Sequence, residues 1–339
     1  METRRFVHSE PFFLESGTQL PGFELSYTIS HPSSQSFRRR IWVCHALTAN
    51  SEPVEWWPGL VGKGCVIDPE KDQIVCANML GSCYGSTNAL SLDPTSQKPW
   101  FHQFPVLTNR DIVRAFDLLR LSLKMDHIDL LIGGSMGGQQ CLEWAIQAPS
   151  VFGQLVPLAT NAVHSPWGIA FNESQRMAIA ADQSWQTAHP DAGKEGLEAA
   201  RAIALLSYRN YQTYQNTQQD PDDGALDDFR ASSYQRYQGQ KLRKRFHAFS
   251  YWTLSKAMDS HNVARGRYSL AAALGNITAK TLVIGVESDV LFPPTEQKRI
   301  AQHIADAQYV EIASTYGHDG FLIEVGQIEQ ILTDFLETS

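Results

Sequence analysis

The feature that most constrains the fold is a serine in a glycine-rich turn. Residues 132–138 read IGGSMGG and place Ser135 between an apolar run at 128–132, typical of a β-strand, and a helical stretch at 139–147. Such a tight turn leaves no room for side chains two positions before and after the serine, which explains Gly133 and Gly137. The pattern therefore predicts a nucleophile elbow, which presents the Ser135 hydroxyl above a sheet.

The same turn predicts where an oxyanion would be stabilised. The N–H of Met136 would lie at a helix N-terminus, aimed at the position where the oxyanion forms. A second donor is expected from the loop after an early strand. Residues 44–48 read CHALT and end such a strand, so the backbone N–H near Leu47 is the candidate. His45 in this loop fits equally well as a core histidine bonded to the backbone.

The pattern of apolar runs indicates the fold class. Continuous apolar runs at 41–44 and 74–77 are typical of central strands covered on both faces. Thr108 and Asp111 have the spacing of a capping box, so we expect a helix that carries Ile112 and Phe116 on one face. Later runs at 155–159 and 281–286 continue the alternation, which predicts a mostly parallel α/β sheet. Near the N-terminus, alternation at 23–29 predicts an antiparallel edge strand, followed by a turn at 32–36.

One long segment differs from this alternation. Between residues 165 and 275, strand-like runs disappear, and Ala, Gln, Arg and Tyr recur at helical spacing. We interpret this segment as a helical lid that forms one wall of the active site, with the core domain at 1–164 and 276–339. The alternative is a separate helical domain, which would ordinarily have linkers at both ends.

A serine nucleophile needs a histidine base, and the histidine needs a carboxylate that fixes its tautomer. In folds with this elbow the chain order is serine, acid, histidine. Asp289 follows the run at 281–286, and His318 follows the strand-like run at 309–313 beside two glycines. These two residues are the predicted acid and base. Glu287 is the rival acid and Asp319 a weaker one.

Composition excludes several other roles. The formal net charge is -8, so the global field would repel nucleic acid and anionic membranes. Neither a signal segment at the N-terminus nor an apolar stretch of membrane-spanning length is found, which predicts a cytoplasmic protein. The cysteines form an odd set without C-x-x-C spacing, so we expect buried free thiols and no metal site. They are Cys44, Cys65, Cys76, Cys83 and Cys141.

Five segments in chain order resemble the homoserine O-acetyltransferase family of α/β-hydrolase folds. They read HALT at 45–48, NMLGSCYGST at 78–87, IGGSMGG at 132–138, SDVLFP at 288–293 and GHDGFL at 317–322. The resemblance spans nearly the whole chain. It implies an α/β-hydrolase fold and an enzyme of methionine biosynthesis that holds no permanent cofactor. It also implies a homodimer formed through the lid helices.

The resemblance also implies a ping-pong acyl transfer. Ser135 would take an acyl group from acetyl-CoA, and the homoserine hydroxyl, deprotonated by His318, would attack the acyl-enzyme. The segments GLEAAR at 196–201 and LSYR at 206–209 match lid motifs of the family. By that match, Arg201 and Tyr208 hold the carboxylate region of the substrate, and Asp319 holds its amine. An arginine and a carboxylate suit the two charges of an amino acid zwitterion.

Three departures from the family pattern leave alternatives open. Asn88 and Ala89 replace the usual Gly-Pro, and Ala49 replaces the usual glycine after HALT; we expect both changes near the acyl pocket or the oxyanion loop. Succinyl-CoA as donor and L-serine as acceptor therefore remain alternatives. The basic segment KLRKR at 241–245 fits either coenzyme A phosphates or a solvated helix face. An esterase, in which water resolves the acyl-enzyme, and a non-catalytic binding protein are the competing functions.

Overall fold

The computed structural model of the protein describes residues 1–32 and 37–337. Residues 33–36 of the turn predicted at 32–36 lie outside the described residues. The described strands are β1 (Glu2–His8), β2 (Phe12–Phe13), β3 (Gln19–Leu20), β4 (Phe23–Ile29), β5 (Arg40–Cys44), β6 (Gln73–Ala77), β7 (Ile128–Gly134), β8 (Phe152–Leu158), β9 (Lys280–Val286) and β10 (Ala307–Ile312).

Helices alternate with these strands and then fill the long segment before β9. They are α1 (Pro53–Trp56), α2 (Asn109–Ser122), α3 (Met136–Gln147), α4 (Pro166–Ala181), α5 (Lys194–Tyr208), α6 (Tyr211–Thr217), α7 (Arg230–Arg243), α8 (Ala248–Asp259), α9 (Leu270–Leu274), α10 (Pro294–Ala301), α11 (Gly320–Ile323) and α12 (Val325–Glu337). Short 3-10 helices lie at Phe101–Gln103, Gln183–Gln186 and Gly317–Asp319.

Eight of the described strands form one sheet in the order β1-β4-β6-β5-β7-β8-β9-β10. The neighbours from β6 to β10 are parallel, whereas β1 and β6 both pair with β4 in the antiparallel direction. The carboxyl ends of the parallel strands meet at one edge of the sheet, where this class of fold binds its ligands. The predicted mostly parallel sheet is confirmed.

The strand predicted at 23–29 is antiparallel, but the prediction that it lies at the edge is wrong. β1 pairs with β4 along its whole length, from Glu2 opposite Ile29 to His8 opposite Phe23. Most side chains of β1 are exposed, so the strand has no apolar pattern that sequence analysis would detect. Backbone pairing with β4 holds it in place.

Both faces of the sheet are covered by helices, as predicted. Alternate residues of each central strand enter two separate hydrophobic clusters. Leu131 of β7 packs in one cluster with residues of α2 and α3, whereas its neighbours Leu130 and Ile132 pack in the other with residues of α12. Because both faces are dry, these strands read as continuous apolar runs rather than as alternating ones.

The capping box predicted for α2 is present. Thr108 is the N-cap residue and accepts a hydrogen bond from the Asp111 N–H, and the Asp111 carboxylate accepts one from the Thr108 N–H. Ile112 and Phe116 are buried on the face that packs on the sheet. The helix therefore begins where the sequence pattern indicated.

Helices α4 to α9 lie between β8 and β9, inside the range predicted for the lid. Helix α4 packs on α5 and α8, and α5 packs on α7 and on the 3-10 helix Gly317–Asp319. The division into a core and a lid stays a prediction. None of the described helices is long and apolar enough to cross a membrane.

All five cysteines carry free thiols. Cys44, Cys76 and Cys141 are buried, whereas Cys65 and Cys83 are half-buried, so the prediction of buried thiols is correct for three of them. Burial raises the pKa of the Cys76 and Cys141 thiols well above the usual value, which keeps them protonated and unreactive.

Candidate active site

Ser135 is the single residue between the end of β7 and the start of α3. Its backbone angles, φ 59° and ψ -126°, lie in a region that residues other than glycine rarely occupy. Two hydrogen bonds hold the turn: the Ser135 N–H donates to the Leu158 carbonyl at 2.9 Å, and the Thr160 hydroxyl donates to the Ser135 carbonyl at 2.8 Å. Strain fixed in this way is typical of functional sites.

The flanking glycines are required by close backbone contacts. A Cβ atom on Gly133 would lie 2.7 Å from the Gly137 carbonyl carbon, and one on Gly137 would overlap the Cys44 carbonyl oxygen. A side chain at either position would therefore collide with backbone atoms of Gly137 or Cys44, as predicted from the tightness of the turn. Helix α3 starts at Met136, three residues before the predicted start at 139.

Ser135, His318 and Asp289 form a chain of hydrogen bonds. His318 Nε2 lies 2.9 Å from Ser135 Oγ, and His318 Nδ1 lies 2.7 Å from Asp289 Oδ2. All three side chains are buried. Asp289 lies in the loop after β9, and His318 lies in the 3-10 helix after β10. The predicted nucleophile, base and acid are thus brought together from three separate parts of the chain.

The Asp289 carboxylate is held on its second oxygen as well. Oδ1 accepts hydrogen bonds from the N–H groups of Leu291 at 2.8 Å and Phe292 at 2.9 Å, which fixes the plane of the carboxylate against His318. The rival acid Glu287 is exposed. The geometry therefore places Asp289, and not Glu287, in contact with the histidine.

Aromatic side chains enclose the His318 imidazole. The ring centroids of Phe292, Phe321 and Tyr208 lie 5.1, 5.3 and 5.7 Å from that of His318. Tyr208 is the last residue of α5, whereas Phe292 follows β9 and Phe321 lies in α11. These rings limit the access of water to the histidine, which strengthens electrostatic interactions within the site.

The two candidate oxyanion donors lie on opposite sides of Ser135 in the sequence. Met136 is the first residue of α3, so its N–H has no acceptor within the helix. Leu47 is buried in the loop after β5 and lines the same cavity as Ser135. The roles of both N–H groups stay predictions.

His45 is a core histidine bonded to the backbone, one of the two possibilities for this residue. Its Nδ1 lies 2.9 Å from the Ala46 carbonyl oxygen, and its Nε2 accepts from the Met79 N–H at 3.3 Å. Burial lowers its pKa to about 4, so the ring is neutral at physiological pH. It holds the Leu47 loop against the segment that follows β6.

Ser135 and His318 open into a cavity of about 650 Å³, within the size range of small-molecule sites. Leu47, Arg201, Tyr208 and Asp319 line the same cavity, while Asp289 lies behind His318. Sequence analysis assigned no role to several further wall residues, although Tyr84, Phe321 and Leu322 lie in the segments that carry the family resemblance. They include Asn50, Glu55, Trp56, Tyr84, Phe321 and Leu322.

The predicted acceptor residues provide both signs of charge. The Arg201 guanidinium lies 5.1 Å from the centroid of the Tyr208 ring. Burial raises the pKa of Tyr208, so its hydroxyl stays protonated and able to donate. The Asp319 carboxylate forms an ion pair with Arg209 at 3.2 Å. Arg209 was missed as a site residue, although it stands beside Tyr208 in the LSYR motif.

The basic segment at 241–245 splits between two environments. Lys241 and Arg245 line the cavity. Arg245 also donates hydrogen bonds to the Tyr84 hydroxyl and the Thr48 carbonyl. Arg243 instead forms ion pairs with two glutamates of α5. Lys241 and Arg245 therefore lie where a ligand could reach them, and binding of coenzyme A phosphates stays a prediction.

The residues that depart from the family pattern lie in two different places. Ala49 lines the Ser135 cavity, as expected. Asn88 is buried and donates to the Ser82 and Ser86 carbonyls, and Ala89 lines a second pocket with Trp185. The expectation that Asn88 and Ala89 lie near the acyl pocket is wrong, because Tyr84 is the last residue of their segment that lines the Ser135 cavity, and Gly85 to Thr87 already line another pocket.

No group of three or more metal-binding side chains (His, Cys, Asp or Glu) that could hold an ion occurs within residues 1–32 and 37–337. The chemistry available to this cavity from the described residues is acyl transfer through a serine, with a histidine base and an enclosed pair of opposite charges.

Solved structures share this architecture. A homoserine O-acetyltransferase from Bacillus anthracis superposes with a TM-score of 0.89, at 21% identity over 99% of this chain and 97% of that one. Esterase E22 superposes with a TM-score of 0.88, at 21% identity over 99% of both chains. At this level of identity the likeness shows the fold alone, and the fold carries both kinds of enzyme.

Comparison of sequences identifies the family, which the shared fold alone does not. A family model described as alpha/beta hydrolase fold matches residues 40–325. A protein of Cyclobacterium marinum named homoserine O-acetyltransferase is 49% identical over 97% of this chain and 94% of its own length. A protein of Trichormus variabilis with the same name is 40% identical over 97% of this chain and 92% of its own length. The chain therefore belongs to the homoserine O-acetyltransferase family, acyltransferase enzymes built on the α/β-hydrolase fold.

Proposed function

We propose that this protein transfers an acetyl group from acetyl-CoA to the hydroxyl of L-homoserine through a Ser135 acyl-enzyme. The observation that carries the proposal is that Ser135 and His318, with Asp289 bonded behind the histidine, line the same cavity as Arg201 and Asp319. An esterase has no need for an enclosed cation and carboxylate beside its nucleophile. The names of the relatives support the same acceptor.

In the first half-reaction, His318 Nε2 takes the proton of the Ser135 hydroxyl as Oγ attacks the thioester carbonyl. The N–H groups of Met136 and Leu47 are the proposed donors to the oxyanion that forms. Asp289 stabilises the imidazolium through Nδ1–H, and His318 then returns its proton to the departing thiolate. The products are the acetyl ester of Ser135 and free coenzyme A.

In the second half-reaction, homoserine replaces coenzyme A. Arg201 and the Tyr208 hydroxyl bind its carboxylate, and Asp319 binds its ammonium group. These contacts place the hydroxyl at the acyl carbon, where His318 removes its proton as the oxygen attacks. The bond between Ser135 Oγ and the acyl carbon then breaks, Oγ takes the proton back from His318, and the acetyl ester of homoserine leaves. A bound acceptor then competes with water because its oxygen is held in position.

Lys241 and Arg245 are proposed to bind the phosphates of the donor. Both line the cavity, and they supply cations that an otherwise acidic chain must provide locally for a polyanionic ligand. We further propose that the enzyme acts in methionine biosynthesis in the cytoplasm, as a homodimer joined through the lid, in keeping with the family resemblance.

Arg201→Ala and Asp319→Asn should each impair acceptor transfer selectively. Removing one charged contact leaves the opposite charge of the substrate unpaired in an enclosed site, so we expect transfer to homoserine to slow on the order of a hundredfold or more. Acylation by acetyl-CoA at pH 8 should stay near the wild-type rate. Single-turnover release of thiol measures acylation, and the homoserine-dependent decay of the acyl-enzyme measures transfer.

Arg243→Ala is the matched control, because Arg243 pairs with Glu195 and Glu198 outside the cavity wall. Unchanged homoserine transfer in both Arg201→Ala and Asp319→Asn would reject the zwitterion site. Discharge of the wild-type acyl-enzyme to water at the same rate with and without homoserine would instead favour an esterase.

Lys241→Ala should weaken donor binding. Loss of one phosphate contact is expected to raise KM for acetyl-CoA about tenfold, which corresponds to roughly 1.4 kcal/mol. KM for p-nitrophenyl acetate, a donor without phosphates, should not change. Lys244→Ala removes the same charge from an exposed residue outside the cavity wall and serves as control. An equal rise in KM for both donors would place Lys241 outside the phosphate site.

A further inference from the structure

Arg209 pairs with the residue next to the catalytic histidine. It follows the last residue of α5, and its Nη2 lies 3.2 Å from Asp319 Oδ2. The exposed fractions of the two side chains are 19% and 16%, so the pair is only weakly screened by solvent. An ion pair in this position contributes far more to the local field than one on an open surface.

The loop that carries His318 is packed directly onto the end of α5. Gly317 has φ 65°, and a Cβ atom there would lie 2.9 Å from the Arg209 carbonyl carbon. The Arg209 guanidinium also lies 5.8 Å from the centroid of the Tyr316 ring. The position of Arg209 relative to the loop is therefore set by backbone contact as well as by charge.

One atom of Arg209 is left without a partner. Its Nε is buried and has no hydrogen-bond partner among the described residues. An arginine that served only to stabilise the lid would be expected to satisfy its buried donors, because each unpaired one costs free energy. Arg209 instead directs its Nη2 toward a single carboxylate on the cavity wall.

That carboxylate creates an electrostatic problem for catalysis. A negative charge beside an imidazole favours its protonated form, which cannot accept the serine proton. His318 already faces Asp289 at 2.7 Å, and Asp319 adds a second carboxylate on the adjacent residue. An uncompensated Asp319 carboxylate would therefore oppose the transfer of the Ser135 proton to the base.

Two packed elements contribute further charged or titratable groups near His318, and Glu55, Lys241 and Arg245 line the same cavity. Helix α5 contributes Arg201 and Tyr208, and burial raises the pKa of Tyr208, so this residue adds no charge. Helix α10 contributes Glu296, which interacts with Asp289 and whose pKa burial raises to about 7. Of the two nearby arginines, Arg201 in α5 and Arg209 directly after it, Arg209 forms the ion pair with Asp319.

We propose that Arg209 is a positioning residue that holds Asp319 in place and compensates its charge, so that His318 stays neutral and able to accept the Ser135 proton near neutral pH. This inference rests on the proposed roles of Ser135 and His318 but not on the identity of the acyl acceptor. The pair also leaves Asp319 at the cavity wall.

The test is the pH dependence of acylation. For Arg209→Met, the burst of p-nitrophenol from p-nitrophenyl acetate, measured between pH 5 and 9, should show its acidic midpoint raised by about one pH unit. The rate at the alkaline plateau should change less than about threefold. Arg209→Gln should give the same shift, and Arg209→Lys, which keeps the cation, should recover most of the wild-type midpoint.

The double variant Arg209→Met/Asp319→Asn separates charge compensation from a structural role. It removes the charge that Arg209 balances, so its acidic midpoint should return to the wild-type value, whereas a packing defect would persist. Arg243→Met, which breaks a lid ion pair away from the cavity, is the matched control and should show no shift.

Two results would overturn the inference. One is an unchanged acidic midpoint in both neutral variants of Arg209. The other is a raised midpoint that persists in the double variant. In either case a wild-type burst with normal transfer to homoserine would leave the proposed function standing. A wild type that forms no acyl-enzyme would overturn the proposed function and this inference together.

Discussion

Ser135→Ala should abolish acyl transfer, with turnover reduced on the order of 10⁶-fold, by analogy with serine proteases that lose the nucleophile. The covalent step needs the Oγ atom that lies 2.9 Å from His318 Nε2. An alanine methyl group cannot attack a thioester, and the remaining oxyanion donors and binding contacts leave only a small residual rate.

The fold should survive this change. Alanine keeps the Cβ atom, so the strain at φ 59° is the same, and the backbone hydrogen bonds to Leu158 and Thr160 remain. Ser135→Gly should raise the thermal midpoint relative to wild type, because glycine adopts this region without strain that costs about 1–3 kcal/mol. Thermal unfolding of both variants measures the effect.

Intact mass after incubation with acetyl-CoA tests the covalent step directly. We expect an acetyl adduct on the wild type and none on Ser135→Ala. Ser174→Ala, which removes an exposed serine hydroxyl on α4, should form the adduct normally. An adduct and retained turnover in Ser135→Ala would show that another residue is the nucleophile.

The elbow could be recognised from the sequence because its geometry restricts residue type at each position. Gly133 and Gly137 face backbone atoms so closely that a side chain is excluded, and the apolar run before them has no other stable location than the sheet. The glycines are also the reason why the start of α3 was predicted too late. Glycine is a poor helix former, so the helical pattern became visible only from residue 139, although the helix begins at Met136.

Features that depend on contacts between distant segments could not be predicted in this way. Strand β1 has an exposed, polar sequence and is defined only by its pairing with β4. The Arg209–Asp319 ion pair joins a residue directly after α5 to one after β10, and the sequence around either residue gives no indication of the other. Asn88 and Ala89 were expected near the acyl pocket because they follow a motif that contributes Tyr84 to it, yet the chain leaves the cavity after that residue.

The choice between Asp289 and Glu287 as the catalytic acid could not be made from the sequence either. Both follow β9 within three residues, and sequence order permits either as the acid. The structure separates them because the turn after β9 directs Asp289 inward, where the N–H groups of Leu291 and Phe292 hold its Oδ1. Glu287 points to solvent. Backbone donors that select one carboxylate are visible only once the turn is folded.

Those backbone donors also determine what Asp289→Asn would do. The two N–H groups require an acceptor, so the amide oxygen of asparagine should occupy the Oδ1 position and its NH₂ group should face His318 Nδ1. A donor at that position requires Nδ1 to be unprotonated, which moves the imidazole proton to Nε2. In this tautomer His318 cannot accept the Ser135 proton, and the imidazolium also loses its counter-charge.

Turnover of Asp289→Asn should therefore fall by as much as ~10⁴-fold, by analogy with the same substitution in serine proteases, while the fold is retained because the side chains are isosteric. Glu287→Gln is the matched control and should be nearly neutral. Steady-state transfer from acetyl-CoA to homoserine, with thermal unfolding in parallel, measures both variants. If Glu287→Gln caused the large loss and Asp289→Asn did not, the acid would be misassigned, because the hydrogen bond to His318 would then contribute nothing to catalysis.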